Sequence, residues 1–454
     1  MTVKRSIFNL FHSIYDKRFH PLYVKYSKNL EKSLEELKYE QNQQLKKMIH
    51  HCYKNVKYYR DLFNKIRLSP SDIKTVEDLN NLPLLNRKTI KKNYRDFIPD
   101  NIKDLKYHVS ATGGTTGIPL EFRVDKEQRL RSGVLLYRGW GFGGYDLGDR
   151  MVLLAGSSLD NSYKSSFSAK INQFFRNYKK LSAYEMTEDE LITYYKLISR
   201  YKPKFLRGYS SSINLFAKWL IRNNLKIDCI DSVFTTSEKL YDNMRQNISN
   251  AFKCDVFDGY GLADGGVSAY ECKEHSGLHI DTECSILEIV DDNNNQITDG
   301  YGKILATSLY NYSMPFLRYD TTDSGHITNE KCKCGRPHLL LRNIYGKSDE
   351  HLISPEGKYI HGVAFFNTIF MKNDNINVID EYQVIQSSKD ELLIKIVCKD
   401  KSFPEDLANN IITMIKNNSS KWKVTFEYVD EIPKTKAGKH KFIINKLNES
   451  DESE

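Results

Sequence analysis

The chain has 454 residues, of which 40% are hydrophobic and 28% are charged, and its formal net charge is +9. This composition is typical of a globular protein and excludes a disordered or collagen-like one. The length suggests more than one domain, because a single hydrophobic core rarely grows beyond about 250–300 residues. The positive charge is spread along the chain instead of forming a basic block with interleaved aromatic residues. We therefore expect no nucleic-acid binding, although the charge favours an anionic substrate such as a nucleotide.

The sequence predicts a cytoplasmic protein without a membrane span. No stretch approaches the roughly 20 apolar residues that a transmembrane helix needs. The basic N-terminus lacks a cleavage site of small residues, so we read no signal peptide. The eight cysteines are therefore expected in a reducing compartment, as metal ligands or as core residues.

The order of the predicted elements indicates an α/β protein. Residues 1–66 have apolar positions at helical spacing. Apolar strand patterns then alternate with helical ones, as in "EFRVD", "RMVLLAG" and "IDSVFTTSEKL". The segment "YKPKFLRGYSSSINLFAKWL" predicts a short strand, a turn at Gly208 and a helix. Such alternation predicts parallel β-α units, whose functional residues lie at the carboxyl ends of the strands.

From about residue 280 the pattern changes to short strands separated by turns, which predicts a mostly antiparallel section. After "YGKSDE" (345–350), two strand patterns and a helix over "EDLANNIITMIKNN" predict a small α+β unit. We predict a large N-terminal domain over 1–346, a small C-terminal domain over 347–447 and a charged, disordered tail over 448–454.

The segment "SATGGTTG" offers hydroxyl groups and a glycine backbone whose N–H groups can approach an anion closely. It is not a Walker loop, because no Gly-Lys-Ser/Thr follows. A flexible surface turn is the competing interpretation. The candidate phosphate-binding residues are Ser110, Thr112, Gly113, Gly114, Thr115, Thr116 and Gly117.

Four further motifs accompany this loop: "FTTSEKL" (234–240), "DGYGLADGG" (258–266), "LRYDTTDSG" (317–325) and "PKTKAGKHKF" (433–442). Together they resemble the adenylate-forming superfamily of acyl- and aryl-CoA ligases. Within it, the chain is similar to the phenylacetate–CoA ligases and to the CapK-type proteins of capsular polysaccharide biosynthesis. The helical "HHCYKNVKYYRDLF" resembles the same branch, and the resemblance covers nearly the whole chain.

The resemblance implies an AMP-forming ligase with roles for particular residues. The glycine-rich loop would hold the β- and γ-phosphates of ATP, and Asp323 would bind the ribose hydroxyls. Asp264 would ligate Mg²⁺ where the family has a glutamate, rather than only cap a helix. Lys439 would be the mobile lysine that reaches the α-phosphate as the small domain rotates, and Lys347 replaces an arginine that contacts ribose or phosphate. The residues that would line the adenine and acyl pocket are Ser237, Glu238, Tyr260 and Gly261.

Several positions depart from the family pattern. Ile118 stands in place of a loop lysine, for which Arg123 or another base would substitute, and Ala263 replaces a hydroxyl residue. Glu238 is equally a surface acid. Ile118, Ala263 and Lys347 are the features that support the alternative to a ligase, a catalytically degenerate nucleotide-binding protein with the same fold. For an active ligase, the sequence does not identify the carboxylic acid substrate, and the acceptor is either coenzyme A or an amine. The sequence is also compatible with a homodimer.

A second constellation is independent of the nucleotide motifs. "ECKEHSGLHI" and "KCKCGRPH" supply enough ligands for a closed tetrahedral Zn²⁺ site. The predicted ligands are Cys272, His279, Cys332 and Cys334, with His275 as the rival fourth ligand. Free surface thiols are the alternative. In the family this zinc is structural, and a full protein shell disfavours a zinc-dependent hydrolase.

Overall fold

The computed structural model describes residues 3–111, 120–155, 167–183, 186–345, 351–357, 359–361, 365–366, 369, 379–398, 403–417, 419–433 and 440–447. The predicted tail, 448–454, lies outside this range. The chain divides into two units, Met1–Ile344 and Tyr345–Glu454. In the described part, no helix has the length and apolar character that crossing a membrane requires.

Eleven helices are described. They are α1 Val3–Tyr15, α2 Phe19–Lys28, α3 Leu34–Asn55, α4 Lys57–Ile66, α5 Arg87–Lys92, α6 Lys126–Gly141, α7 Phe167–Phe175, α8 Glu188–Tyr201, α9 Ser210–Arg222, α10 Asp242–Phe252 and α11 Glu405–Lys416.

The strands of the first unit are β1 Tyr107–Ala111, β2 Glu121–Asp125, β3 Met151–Ala155, β4 Tyr178–Ser182, β5 Phe205–Tyr209, β6 Ser232–Thr236, β7 Asp255–Phe257, β8 Gly259–Gly261, β9 Ser268–Glu271, β10 Leu278–Ile280, β11 Ser285–Val290, β12 Gln296–Ile297, β13 Gly300–Ser308, β14 Tyr319–Thr328 and β15 Leu340–Tyr345. Those of the second unit are β16 His351–Ile353, β17 Tyr359–His361, β18 Ile379–Ser388, β19 Glu391–Cys398, β20 Lys423–Tyr428 and β21 Ile443–Asn445.

The predicted β-α units form a five-stranded parallel sheet of order β4-β3-β5-β6-β7. Most residues of its central strands β5 and β6 are buried, as expected where helices cover both faces of a sheet. The predicted turn at Gly208 is wrong, since β5 continues to Tyr209 and α9 begins at Ser210. Gly208 is needed for space: a Cβ there would lie 2.3 Å from the backbone oxygen of Leu154 on the neighbouring strand.

The predicted antiparallel section is an eight-stranded sheet of order β12-β11-β13-β14-β15-β10-β9-β8. Helices α3 and α4 pack on it through residues such as Leu45, Ile49 and Phe63, which are fully buried. A capping box at the start of α3, formed by Ser33 and Glu36, fixes where that helix begins. The site described below includes β8, the edge strand of this sheet, which directly follows β7 of the parallel sheet along the chain.

The second unit contains a four-stranded sheet of order β20-β19-β18-β21. Leu407, Ile411 and Ile415 form the buried face of α11. Their spacing is the helical one that the sequence pattern indicated.

Candidate functional site

Two of the predicted nucleotide motifs meet through side-chain hydrogen bonds. The hydroxyl of Tyr260, on β8, donates to Oδ2 of Asp323, on β14, over 2.9 Å. The hydroxyl of Tyr319, at the start of β14, donates to Oδ2 of Asp264 over 2.8 Å. Asp264 follows β8 in a turn and is buried, whereas Asp323 is half-buried. The motifs "DGYGLADGG" and "LRYDTTDSG" therefore build one polar cluster from two elements.

A cation that the sequence reasoning missed completes this cluster. Arg87, the first residue of α5, donates from Nε to the Tyr319 hydroxyl over 3.0 Å, and its Nη2 lies 3.7 Å from Oδ2 of Asp264. Burial opposes the charged form of Arg87, but Tyr319 and the two nearby carboxylates outweigh it and raise its pKa. Arg87 is thus held charged. We call Arg87, Tyr260, Asp264, Tyr319 and Asp323 the Arg87 cluster.

The backbone explains how Arg87 reaches this position. Leu85 forms a parallel β-bridge with Tyr319, and its N–H donates to the carbonyl oxygen of Arg318 over 3.0 Å. Asn86 then accepts from the N–H of Thr89 and caps α5. The segment "LLNRKTIKK" carries no recognisable nucleotide motif, so no sequence signal marked Arg87. Tyr319 could have been identified from the sequence, because it lies inside the motif "LRYDTTDSG" that contains Asp323.

The turn after β6 places the other predicted pocket residues. Ser237 has a positive φ of 67°, an uncommon conformation for a non-glycine residue that is often found at functional sites. Oε2 of Glu238 accepts from the backbone N–H of Ser211 over 3.0 Å, in the first turn of α9. The carboxylate of Glu238 therefore stabilises a helix N-terminus. Gly261, at the end of β8, is exposed.

The glycine-rich loop is described only at its start. Ser110 lies on β1, opposite Phe122 of β2. The other predicted phosphate ligands, and the two predicted lysines of the second unit, lie outside the described residues: Thr112, Gly113, Gly114, Thr115, Thr116, Gly117, Lys347 and Lys439. Arg123, suggested as a substitute for the missing loop lysine, stacks on the rings of Tyr94 and Tyr107.

A half-buried carboxylate lies between the two sheets. Asp258 follows β7, and its Oδ1 accepts from the Thr235 hydroxyl over 2.8 Å and from the N–H of Gly259 over 2.9 Å. Burial, and then the nearby Glu271 carboxylate, raises the pKa of Asp258 to about 6. Glu271 itself is paired with Arg245, whose Nη2 lies 2.9 Å from its Oε1.

The structure also gathers the four predicted zinc ligands. Their ligand atoms all lie within 4.8 Å of one another, and three of the four residues are buried: Cys272, His279, Cys332 and Cys334. Cys272 Sγ lies 3.6 Å from Cys332 Sγ, and Cys334 Sγ lies 3.4 Å from His279 Nε2. His275 is directed elsewhere, because its Nδ1 lies 3.1 Å from Arg245 Nη1 and 3.3 Å from Glu271 Oε1. The geometry favours His279 as the fourth donor.

Comparisons with known proteins show which proteins the chain is similar to. The profile of the CapK C-terminal domain matches residues 352–446. The chain is 27% identical over 420 residues to protein CapK of Staphylococcus aureus, covering 90% of this chain and 89% of CapK. It is 24% identical over 404 residues to phenylacetate-coenzyme A ligase of Thermus thermophilus, covering 82% of this chain and 83% of that enzyme. The crystal structure of 2-hydroxyisobutyryl-CoA ligase in complex with 2-HIB-AMP superposes with a TM-score of 0.74 at 18% identity, covering 93% of both chains.

These findings define the class of protein by its fold, which is that of the adenylate-forming CoA ligases. Within that class it is similar to CapK and to the phenylacetate-coenzyme A ligases. The α/β fold and the resemblance that the sequence predicted are both confirmed.

Proposed function

We propose that the protein uses ATP to activate a small carboxylic acid as its acyl-adenylate and then transfers the acyl group to coenzyme A or to an amine. The observation that carries this proposal is the Arg87 cluster. It brings two carboxylates and a charged guanidinium together around β8, the strand that directly follows the carboxyl end of β7 in the parallel sheet, and ligands of α/β proteins bind at such ends. The similarity to CapK extends the proposal to a role in surface or capsular polysaccharide synthesis.

In the first half-reaction each of these groups has a proposed role. A carboxylate oxygen of the acid attacks the α-phosphorus of ATP, and the bond from that phosphorus to the bridging oxygen breaks, so that pyrophosphate leaves. Negative charge develops on the phosphoryl oxygens, and preorganised cations aimed there lower the barrier. We assign Lys439 to the α-phosphate and Arg87 to the phosphate charge beside Asp264. Asp323, oriented by Tyr260, is assigned to the ribose hydroxyls.

The environment of Asp264 fits a magnesium ligand. Its Oδ2 is held by Tyr319, and no hydrogen-bond partner of its Oδ1 occurs among the described residues. A carboxylate that has one oxygen held by a hydrogen bond and the other available for coordination suits a hard cation. When bound, Mg²⁺ would neutralise phosphate charge.

In the second half-reaction a thiol or an amine attacks the acyl carbonyl carbon, the acyl–phosphate bond breaks and AMP leaves. The acceptor is either coenzyme A or an amine on a sugar or amino acid. We propose rotation of the small domain, 347–447, between the half-reactions, with a hinge at "YGKSDE".

We also propose a structural zinc site at Cys272, His279, Cys332 and Cys334. Three thiols and one imidazole are a donor set typical of closed structural sites. The site joins the loop after β9 and the strand β10 to the loop between β14 and β15. Zinc bound there would stabilise the eight-stranded sheet that carries the Arg87 cluster.

A pyrophosphate-release screen tests the proposal. Purified protein, ATP and Mg²⁺ are combined with aryl, fatty, amino and uronic acids. The Lys439→Ala variant is expected to lose adenylation severely but to consume a supplied acyl-adenylate. Equal loss in both half-reactions would contradict the role given to Lys439. If no acid stimulates pyrophosphate release while ATP still raises the melting temperature, the degenerate nucleotide-binding alternative replaces the ligase.

A further inference from the structure

Helix α1 has apolar side chains on two sides. Phe8 and Phe11 face the interior and are buried. A surface helix normally directs polar residues to solvent, yet the outward side of α1 and the end of α7 are apolar. Five large apolar side chains there are 40–75% exposed: Ile7, Leu10, Ile14, Tyr15 and Phe174. We call these five residues the α1–α7 patch.

Ring contacts make the α1–α7 patch one continuous surface. The ring centre of Phe11 lies 4.8 Å from that of Tyr15 and 4.8 Å from that of Phe175, on which it stacks. Phe175 in turn contacts Phe174, with ring centres 5.4 Å apart. The three aliphatic members of the patch are spaced by three and four residues, which places them on one face of α1. A continuous apolar surface of this kind marks an interaction site, whereas scattered apolar residues do not.

The charges around the patch are positive. The sequences of α1 and α7 contain basic residues and no acidic residue. Lys170 is exposed and lies four residues before Phe174, on the same face of α7. Lys17 is exposed just after the end of α1. The nearest acid along the chain, Asp16, is half-buried and paired with Arg18 over 2.8 Å. The patch is therefore apolar at its centre and basic at its rim.

A second copy of the chain does not match this surface. In a two-fold symmetric dimer the patch would face itself, so lysines of both copies would approach each other, and neither helix supplies an acid. The area is also small. If a large side chain offers about 200 Å², the five residues expose roughly 600 Å². A standard protein interface buries about 800 Å² on each partner.

An anionic lipid surface matches both the apolar centre and the basic rim. Interfacial helices bury apolar side chains about 5–10 Å deep at the boundary between headgroups and acyl chains, a depth that one layer of side chains reaches. Tyrosine is enriched at this boundary, because its ring is apolar while its hydroxyl remains hydrated. Lysines beside the apolar residues are attracted by the lipid phosphates.

We propose that the α1–α7 patch binds an anionic membrane surface. Ile14 and Phe174, the two most exposed members, insert among the acyl chains, and Lys17 and Lys170 lie at the headgroup phosphates. The contact is peripheral and reversible. It goes beyond the proposed function and is independent of it, since no residue of the Arg87 cluster takes part.

Vesicle flotation of the purified protein, without ATP, tests the proposal. The vesicles contain either phosphatidylcholine alone or phosphatidylcholine with about one third phosphatidylglycerol, an anionic lipid. We expect the partition coefficient of the wild-type protein to be at least about 10-fold higher on the anionic vesicles. Binding to them should weaken as NaCl is added, because salt screens the attraction between lysines and phosphates.

The apolar centre is tested by Ile14→Ser/Phe174→Ser. This variant should bind anionic vesicles at least about 10-fold less tightly, because two apolar side chains no longer insert. The matched control is Tyr39→Ser/Ile221→Ser, which alters residues of 66% and 50% exposure outside the patch. The control should bind as the wild-type protein does. Equal binding of the two variants would show that the patch is not the membrane-binding surface.

The basic rim is tested by Lys17→Gln/Lys170→Gln. Binding to anionic vesicles should fall about 30-fold, the effect of two lysines at such a surface, and binding to phosphatidylcholine should not change. Lys46→Gln/Lys47→Gln, at two exposed lysines of α3, is the control and should bind normally. Melting temperatures identify any variant that is unfolded. If the serine variant melts early, the glutamine variant decides alone.

Two results overturn the proposal. The first is a wild-type protein that floats with neither kind of vesicle. The second comes from sedimentation velocity without lipid: a wild-type dimer that becomes a monomer in Ile14→Ser/Phe174→Ser would make the patch a subunit interface. A wild-type protein that binds anionic vesicles, with loss in both patch variants and retention in both controls, supports the proposal.

Discussion

The hydroxyl of Tyr319 donates a hydrogen bond of 2.8 Å to Asp264, and this bond fixes the carboxylate proposed to ligate magnesium. Tyr319→Phe removes the donor without changing the shape of the side chain. We expect kcat for pyrophosphate release to fall about 10-fold, since a hydrogen bond to a charged group contributes roughly 1.5–3 kcal/mol. The Mg²⁺ concentration that gives half-maximal activity should also rise. Tyr201→Phe is the control, because its hydroxyl donates over 2.9 Å to the Asn177 carbonyl oxygen, outside the Arg87 cluster. Equal magnesium curves for both variants would contradict the role of Tyr319.

Arg87 is expected to stabilise the phosphate charge that develops during adenylation. Arg87→Met should lower kcat/KM for ATP about 100-fold, the usual effect of losing one preorganised donor at a developing charge. Arg87→Lys should retain part of the activity, because it keeps the charge but loses the planar donor geometry. Arg60→Met, at an exposed pair with Asp100, is the control. A fall in melting temperature with unchanged kinetics would make Arg87 a structural residue only.

Metal analysis tests the zinc site. The purified wild-type protein should contain about one zinc ion per chain, and Cys334→Ser should contain almost none, because a closed structural site needs all four ligands. His279→Ala should lose zinc as well, whereas His275→Ala should retain it. Cys229→Ser, at a half-buried free cysteine outside the cluster, serves as the control. Wild-type protein that is free of zinc after growth and purification with added zinc would refute the site.

The wrong turn prediction at Gly208 shows what a local sequence pattern can and cannot predict. The strand–helix alternation could be predicted because it depends on residues that are neighbours in the sequence. The role of Gly208 could not be predicted, because the atom that excludes a side chain there belongs to Leu154 on another strand. The contacts of Arg87 and Arg207 could not be predicted for the same reason. Their partners, Asp264 and Trp140 respectively, are distant from them in the sequence.

The zinc ligands illustrate the opposite case. Cys-x-Cys spacing already indicated a metal site, with free surface thiols as the alternative, and the choice between His275 and His279 was open. The pairing of β9 with β10 settles their positions: His279 lies in register with Tyr270, close to Cys272, whereas His275 lies in the turn with a positive φ of 48°. Register between strands is a tertiary property, so spacing alone left both histidines as candidates.

Gly208 also provides a stability test. Gly208→Ala places a Cβ 2.3 Å from the Leu154 carbonyl oxygen, so the central strands β3 and β5 must separate. We expect the free energy of unfolding to fall by about 1–3 kcal/mol or more, the usual cost of overpacking a core. The matched control is Gly133→Ala on α6, where a Cβ has no neighbour within 4 Å. That variant should be neutral or slightly stabilised, because alanine favours a helix over glycine by about 0.5–1 kcal/mol. Similar losses in both variants would refute the steric explanation.

Asp258 should make stability depend on pH in a defined direction. Its pKa is about 6 in the folded protein because burial disfavours the charged carboxylate. In the unfolded chain an aspartate loses its proton near pH 3.9, so between about pH 4 and pH 6 the folded state binds more protons than the unfolded state. The free energy of unfolding contributed by Asp258 is therefore largest below about pH 4 and falls as the pH rises towards 6.

Asp258→Asn removes this titration while preserving an oxygen that can accept from Thr235. Urea unfolding at about pH 4 and pH 7 should show the variant gaining about 1–2 kcal/mol relative to the wild-type protein at the higher pH, since one pKa unit corresponds to about 1.4 kcal/mol and solvent reaches the half-buried carboxyl. Asp255→Asn, at an exposed position on β7, should leave the difference between the two pH values unchanged. If Asp258→Asn and Asp255→Asn respond alike, the carboxyl of Asp258 is ionised throughout this range and its burial carries no penalty.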